Sequence, residues 1–487
     1  MNALVRTLAS VGIATLMTAG CFLEENPSTP SRVVVSDTTI TVNSTYDVVK
    51  SDTVVIDTID YDDGGSGASV ITVLNLRIRD TITTLQTEIE STIVDSVFVD
   101  DDSVRSDTTV RADTSAADAV PVDTTYNDTT IYDTIVVPHL IVATTAATDY
   151  SSGNVGVLME PAHAAHKDLL SIHSDNIVRC KGSAIYILER LGKDNLIRLD
   201  SSSLYSGGVV YQQSLGSGVN LQDIAFADSD KGYVTQYQAP GVLVVDLGDG
   251  SVADTIDLSD YNTTYADHPD STEDWPFMSS ALVLGDNLYV ACQRMRSVTT
   301  DWGISFEPAD TSLIVVISTA TDAVVETIAL EKKNPYGMDV AAGKLYVSST
   351  GSWADPTDGG VERIDPATNT NEGVVAEEST FGGNISTIVM VNENKGYVAV
   401  GKNSADFSEF WTELVEFDPS AGTVGEAVDG VDDAFGGAVY NGRYLYVGDR
   451  NTAAPGVVVI DPADNSTVAG PLDVGIAPSS LSVLVME

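Results

Sequence analysis

The chain has 487 residues, and its 71 Asp and Glu against 24 Lys and Arg give a formal net charge of -47. An acid excess this large argues against nucleic acid and anionic lipid surfaces as partners, because phosphate is captured by positive charge. The length allows two or three domains, and the expectation is one large domain with appendages.

Residues 1-20 hold a single arginine, Arg6, then an apolar run from Leu8 to Met17 and small residues up to Cys21. This reads as a secretory signal peptide, too short for a spanning helix with flanks. The segment LMTAGC resembles the bacterial lipoprotein processing site: Ala19 and Gly20 fit, and Thr18 stands where leucine is usual. The resemblance implies that Cys21 is acylated and becomes the mature N-terminus, so the membrane is reached by a lipid anchor only. Glu24 and Glu25 resemble signals that send some bacterial lipoproteins to the cell exterior. The expected location is the bacterial envelope, on the outer membrane, facing the periplasm or the outside. An ordinary secreted protein with a free Cys21 is the competing reading.

Residues 21-135 change character, with Asp, Thr, Ser and Val dominant and few aromatics. Low hydrophobicity with high negative charge predicts an extended, acidic, Thr-rich stalk or spacer. Fully stretched it would reach roughly 370 Å. Within it SVITVLNLRIRD alternates like a strand, while Ile82, Leu85, Ile89 and Ile93 are spaced like one helix face. Asp followed by Ser or Thr recurs, as at Asp37, Asp57, Asp95 and Asp123. This resembles the Asp-Ser/Thr-apolar O-glycosylation acceptor of some bacterial envelopes; simple low complexity explains it equally well.

Residues 136-487 form the second region. Short apolar strands recur at LIVATT (140), AIYIL (184), GYVTQ (232), LYVAC (288), LYVSS (345), GYVAV (396) and LYVGD (445), about 44 to 57 residues apart. That spacing is one four-stranded propeller blade per repeat. Tight turns precede the tyrosines, as in ADSDKG, LGDN, AAGK and NENKG, where Gly, Asn and Asp supply positive-φ corners. Third strands and further turns follow in LVVDLGDGSV, IVVISTATDAVV, VERIDPATNT and VVVIDPADNSTV. The chain closes on PSSLSVLVME, a first strand without its partner, and PHLIVATT is a second strand without its first. Pairing them closes the ring and removes exposed sheet edges. The predicted fold is all-β, a seven-bladed β-propeller closed by both termini of the domain.

VVISTATDAVVETIAL, NPYGMDV and KLYVSS, following one another, resemble the YVTN repeats of the lactonase-like seven-bladed propellers. The resemblance covers most of 136-487. It implies ester hydrolysis at the channel mouth, but no catalytic motif of that family matches residue by residue, and no nucleophile elbow, phosphate loop or HExxH is present.

In a propeller the loop after each second strand and the loop before each first strand share one face, the upper face. Trp275, Trp302, Trp353 and Trp411 all fall there, as sugar or protein anchors or as loop packing. Arg190, Lys193, Arg294, Arg296, Lys402 and Arg450 should crowd the same face, beside Tyr237 and Gln293. They would hold an anion or acidic sugar, or pair with neighbours such as Glu189 and Asp449. Asp175, Asp223 and Asp339, near first strands, would either hold Ca²⁺ or cap backbone amides. His163, His166 and His173 match no metal spacing. Cys180 and Cys292 read as buried free thiols in different blades. The leading expectation is a non-enzymatic envelope lipoprotein that binds a glycan or envelope protein on its upper face, with no cofactor required. A lactonase-like or metal-assisted hydrolase, and a structural platform in an envelope complex, are the alternatives.

Overall fold

The computed structural model describes residues 31–42, 48–61, 69–84, 87–100, 103–113 and 139–485, less 161, 207, 263–274, 301–302, 309–310 and 405. Residues 1-20, Cys21 and Trp302 lie outside the described residues. No helix among the described residues is long and apolar enough to cross a membrane. By contact the chain divides into two units, Met1–Tyr61 with Val70–Val137, and Asp62–Ser69 with Pro138–Glu487.

In the first unit five strands, Ser31–Val42, Val48–Tyr61, Ser69–Thr84, Thr87–Asp100 and Ser103–Asp113, form one antiparallel sheet in sequence order. Neighbours in sequence are neighbours in this sheet. The helix-face reading is corrected at Ile82, Ile89 and Ile93, which lie in strands, Ile82 opposite Ile89 and Ile93 opposite Val110, while Leu85 lies outside the described residues. A segment this rich in Val, Ile and Thr, β-branched and stiff at χ1, favours the pleated alternative.

The second unit holds seven four-stranded antiparallel sheets. Blade 1 takes Pro478–Val485 as its first strand, followed by His139–Thr145, Gly153–Met159 and Ala164–Ile172. Blade 2 runs from Asn176 to Ser214, blade 3 from Leu221 to Asp257 and blade 4 from Met278 to Ala329. Blade 5 runs from Pro335 to Glu377, blade 6 from Asn384 to Ala427 and blade 7 from Ala438 to Leu472. Closure is as the sequence implies: Pro478 opposes Thr145 and Val485 opposes His139 in one antiparallel ladder. His139 and Val485 therefore stand together at the lower end of blade 1.

Second strands are apolar on both faces because each blade packs between two others. Alternate residues serve the two gaps: Ile185 and Ile187 join blade 1, whereas Tyr186 and Leu188 join blade 3. Each of the seven gaps has its own core. The last joins Tyr446 and Val457 of blade 7 to Ile141 and Leu158 of blade 1. Fourth strands are exposed, as in Val209–Ser214 and Val252–Asp257, and form the outer rim.

The repeated tyrosine also has a chemical task. Its ring fills the gap to the next blade, and its hydroxyl reaches that blade's turn between third and fourth strands. Tyr233 donates to Asp322 Oδ1 at 2.6 Å, Tyr289 to Asn369 Oδ1 at 2.9 Å and Tyr397 to Asn465 Oδ1 at 2.6 Å. Asp322, Asn369 and Asn465 have φ of 53°, 50° and 61°. Asn and Asp tolerate this left-handed corner better than other residues with side chains. Blades 3 and 6 carry Gly250 and Gly422 at the same corner, so Tyr186 and Tyr346 find no side chain there. At three corners a single Asp or Asn thus both turns the hairpin and latches neighbouring blades.

Candidate binding face

The exposed large apolar side chains sort by chemistry and place. Val209, Val210, Val252, Val325 and Val468 lie on the outer fourth strands. Tyr150, Leu191, Phe306, Tyr336, Trp353, Phe407, Phe410 and Phe435 all lie on upper-face loops or at the strand ends that open onto them. Among the described residues, then, every strongly exposed aromatic faces one way. Isolated surface apolar residues are ordinary, and a one-sided set of aromatics makes this face the candidate contact surface.

The presenting loops of blades 5, 6 and 7 are braced by their own polar groups. In blade 6, Ser404 Oγ accepts the Ser408 and Glu409 amides, both at 3.0 Å, and Asp406 accepts from the Ser404 and Ser408 hydroxyls. This closes a tight turn with Phe407 at φ 56° and leaves Phe407 and Phe410 outside. In blade 5, Asp358 accepts the Ser352 amide at 2.7 Å, and Asn384 Nδ2 donates to the Trp353 carbonyl at 3.2 Å. Beneath that loop, fully buried Glu378 accepts the Gly359 amide at 2.9 Å and the Ile385 amide at 3.0 Å. Burial, with Asp358 and Asp355 adding to it, pushes the Glu378 carboxyl up to about 7, against the pull of those two amides. In blade 7, Asp449 accepts the Asp432 and Asp433 amides, at 3.1 and 3.0 Å, fixing the short turn that carries Phe435.

A second aromatic group lies over blades 3 and 4. Phe277, at φ 57°, has Tyr237, Trp275 and Phe306 around it at centroid separations of 5.0, 6.2 and 5.7 Å. Phe306 stands on a hairpin, Met295–Thr300 paired with Gly303–Pro308, inserted between the second and third strands of blade 4. Burial raises the Tyr237 hydroxyl well above the usual tyrosine range.

Of the tryptophans expected on this face, Trp353 is exposed and Trp275 is half-buried in the Phe277 group. Trp411 lies half-buried near the upper end of a blade 6 strand and donates Nε1 to Glu413 at 3.1 Å.

The cations do not converge on a common site. Arg190 is held by Asp175, at 2.7 Å from Nε and 2.6 Å from Nη2, and also donates to Gln222 at 3.2 Å. Its partner is therefore not the adjacent Glu189, which accepts the His173 amide and the amides of Asn195 and Gln212. Nor does Asp449, engaged with the Asp432 and Asp433 amides, hold Arg450, which donates to the Pro478 carbonyl at 3.1 Å and stacks over Phe435. Arg294 donates to the Thr311 side chain at 2.7 Å and the Asn262 carbonyl at 3.3 Å, and Arg296 pairs with Glu307. Lys402 donates to the Phe381 and Gly382 carbonyls at 2.8 and 3.0 Å. Gln293 is buried and donates to the Pro335 carbonyl at 3.2 Å.

Asp175, Asp223 and Asp339 stand apart. Asp223 stitches three first strands, accepting from Arg179 of blade 2 at 2.9 Å and the Ala281 amide of blade 4 at 3.3 Å. Asp339 accepts its neighbour's amide, Val340, at 2.8 Å and the Met390 amide of blade 6 at 2.7 Å. Among the described residues no three His, Cys, Asp or Glu side chains gather as a metal site. His163 bonds Glu160 at 2.7 Å in a lower-face turn, and His173 bonds Asp175 on the upper side. Cys180 and Cys292 are free thiols, pushed up to about 12 by burial.

The site and the topology define a class: an all-β, seven-bladed propeller presenting aromatics from one face. No family model and no curated protein matches the sequence. Among solved structures the chain is similar to a putative 6-phosphogluconolactonase from Bacteroides fragilis, at 12% identity and TM-score 0.49, covering 72% of this chain and 98% of that one. A putative 6-phosphogluconolactonase from Bacteroides uniformis is similar at 12% and 0.48, covering 72% and 100%. Kuenenia stuttgartiensis hydrazine synthase is similar at 16% and 0.46, covering 62% and 87%. These likenesses assign no substrate and no site residue to the chain.

Proposed function

We propose that this protein is a recognition module of the bacterial envelope, a relative of the YVTN-repeat propellers, that captures a glycan or protein partner on its upper face without chemical turnover. The observation that carries this reading is the confinement of the exposed aromatics to that face. Braced loops support it, because a surface that is already ordered loses little entropy on binding. The charged residues that a channel-mouth hydrolase would draw on, Asp223 and Arg190, are committed to neighbouring strands and loops. In the full-length protein, Trp353→Ala, Phe410→Ala and Phe435→Ala should each weaken capture of a ligand from a glycan panel or solubilised envelope by about tenfold or more. Their melting temperatures should stay near that of the parent. Unchanged affinity in all three would place recognition elsewhere.

Anchoring belongs to the same proposal and rests on LMTAGC ending at Cys21. Acylation there would tether the propeller without a spanning helix. Cys21→Ser should move the protein from the membrane to the soluble fraction and abolish labelling by a fatty-acid analogue. Retention of both would rule out Cys21 as the anchor.

A further inference from the structure

Charge and aromatic surface coincide in one sector of the ring. On the upper face of blades 5 to 7, Trp353, Phe407, Phe410 and Phe435 are 55%, 67%, 72% and 57% exposed. On the same loops stand the exposed carboxylates of Asp355, Asp406, Glu409 and Asp432. Loop cations stand in this sector too and are engaged internally: Lys402 by two carbonyls and Glu413, Arg450 by the Pro478 carbonyl and Lys332 by Glu377, with Lys333 beside it. Arg450 also lies 5.7 Å from the Phe435 ring centroid, so the protein itself already sets a guanidinium against one of these aromatics.

We propose that the upper face of blades 5 to 7 docks a polypeptide segment rich in arginine and lysine. The inference rests on the recognition reading above and adds the partner's chemistry. Cations gain from both parts of this surface: carboxylates attract them at range, and aromatic faces hold them at contact. A neutral sugar would use the rings and gain nothing from the negative charge of the carboxylates, three of which also brace their own loops. An acidic sugar would be repelled by them.

The experiment uses the full-length chain, with Trp fluorescence and calorimetry, and three probes: a short oligo-arginine peptide, its glutamine counterpart, and a neutral cello-oligosaccharide. The expected result is saturable binding of the arginine peptide, weakening as salt rises. Phe407→Ala with Phe410→Ala should weaken it at least about tenfold. Asp406→Asn with Glu409→Gln should weaken it and flatten the salt dependence. Removing the same charge from the outer rim, by Asp254→Asn with Glu326→Gln, should change affinity less than about twofold. Equal weakening by the rim pair would overturn the proposal, because the chain's total charge would then account for the binding. If the oligosaccharide binds through the aromatics and the peptide does not, the cationic partner falls and upper-face recognition stands. If the aromatic variants alter no ligand at all, both fall.

Discussion

Removal of residues 478–487 should abolish cooperative folding of the propeller. The segment is one strand of blade 1, and its loss affects both neighbouring gaps. Leu481 and Val483 leave the core shared with blade 7, and Leu484 leaves the core shared with blade 2. The hydroxyls of Ser480 and Ser482 also accept the Val178 and Cys180 amides of blade 2, at 3.3 and 3.0 Å. Without them those amides lose their partners, and the edge of His139–Thr145 is exposed for pairing with other chains. A single buried Leu→Ala substitution typically costs about 2 to 5 kcal/mol, and the truncation removes several such groups together with a hydrogen-bond ladder. The truncated chain should aggregate or melt without a sharp transition, and adding the peptide PSSLSVLVME should restore a cooperative melt. An unchanged melt of the truncated protein would show that the ring does not depend on this closure.

Gly448→Ala should also have a large effect, for a reason confined to blade 7. A Cβ on Gly448 would stand 2.6 Å from the Gly436 carbonyl oxygen and 2.9 Å from its Cα. Reciprocally, a Cβ on Gly436 would meet Gly448 backbone at 2.5 Å. Both obstacles are backbone, so relief requires moving the short turn Ala434–Gly436 that carries Phe435. Overpacking of this kind costs about 1 to 3 kcal/mol, and a shift of whole backbone segments belongs at the upper end. The variant should melt several degrees lower and bind the upper-face ligand less well, whereas Ala399→Gly, at the same strand position in blade 6, should leave binding intact. A melting temperature equal to the parent's would mean that the two segments separate freely.

The propeller was legible because each second strand must be apolar on both faces, and because a tyrosine recurs in six of the seven second strands to fill the gap to the next blade. The unpaired strands at 139 and 478 were legible as halves of one blade for the same reason that edges are avoided. Charge pairing was not legible. Arg190 is adjacent to Glu189 in sequence yet bonds Asp175, and only the approach of two loops decides this. The tryptophans drew notice through their rarity, but Phe407, Phe410 and Phe435 carry most of the exposed surface in their sector. In sequence a loop phenylalanine reads like the buried Phe381 or Phe417. Their position after a second strand or before a first strand was the available signal.

The ladder between His139–Thr145 and Pro478–Val485 has a mechanical meaning as well. The strand His139–Thr145 begins on the lower side, and a partner captured as proposed would pull from the upper side. Tension between the two runs along the His139–Thr145 strand, which is flanked on one side by Pro478–Val485 and on the other by Gly153–Met159. Such a load shears two ladders at once, so many hydrogen bonds share the force, whereas a pull across the strands would peel them one at a time. A force applied at His139 would therefore be carried by a strand paired on both sides, and not by one at a sheet edge.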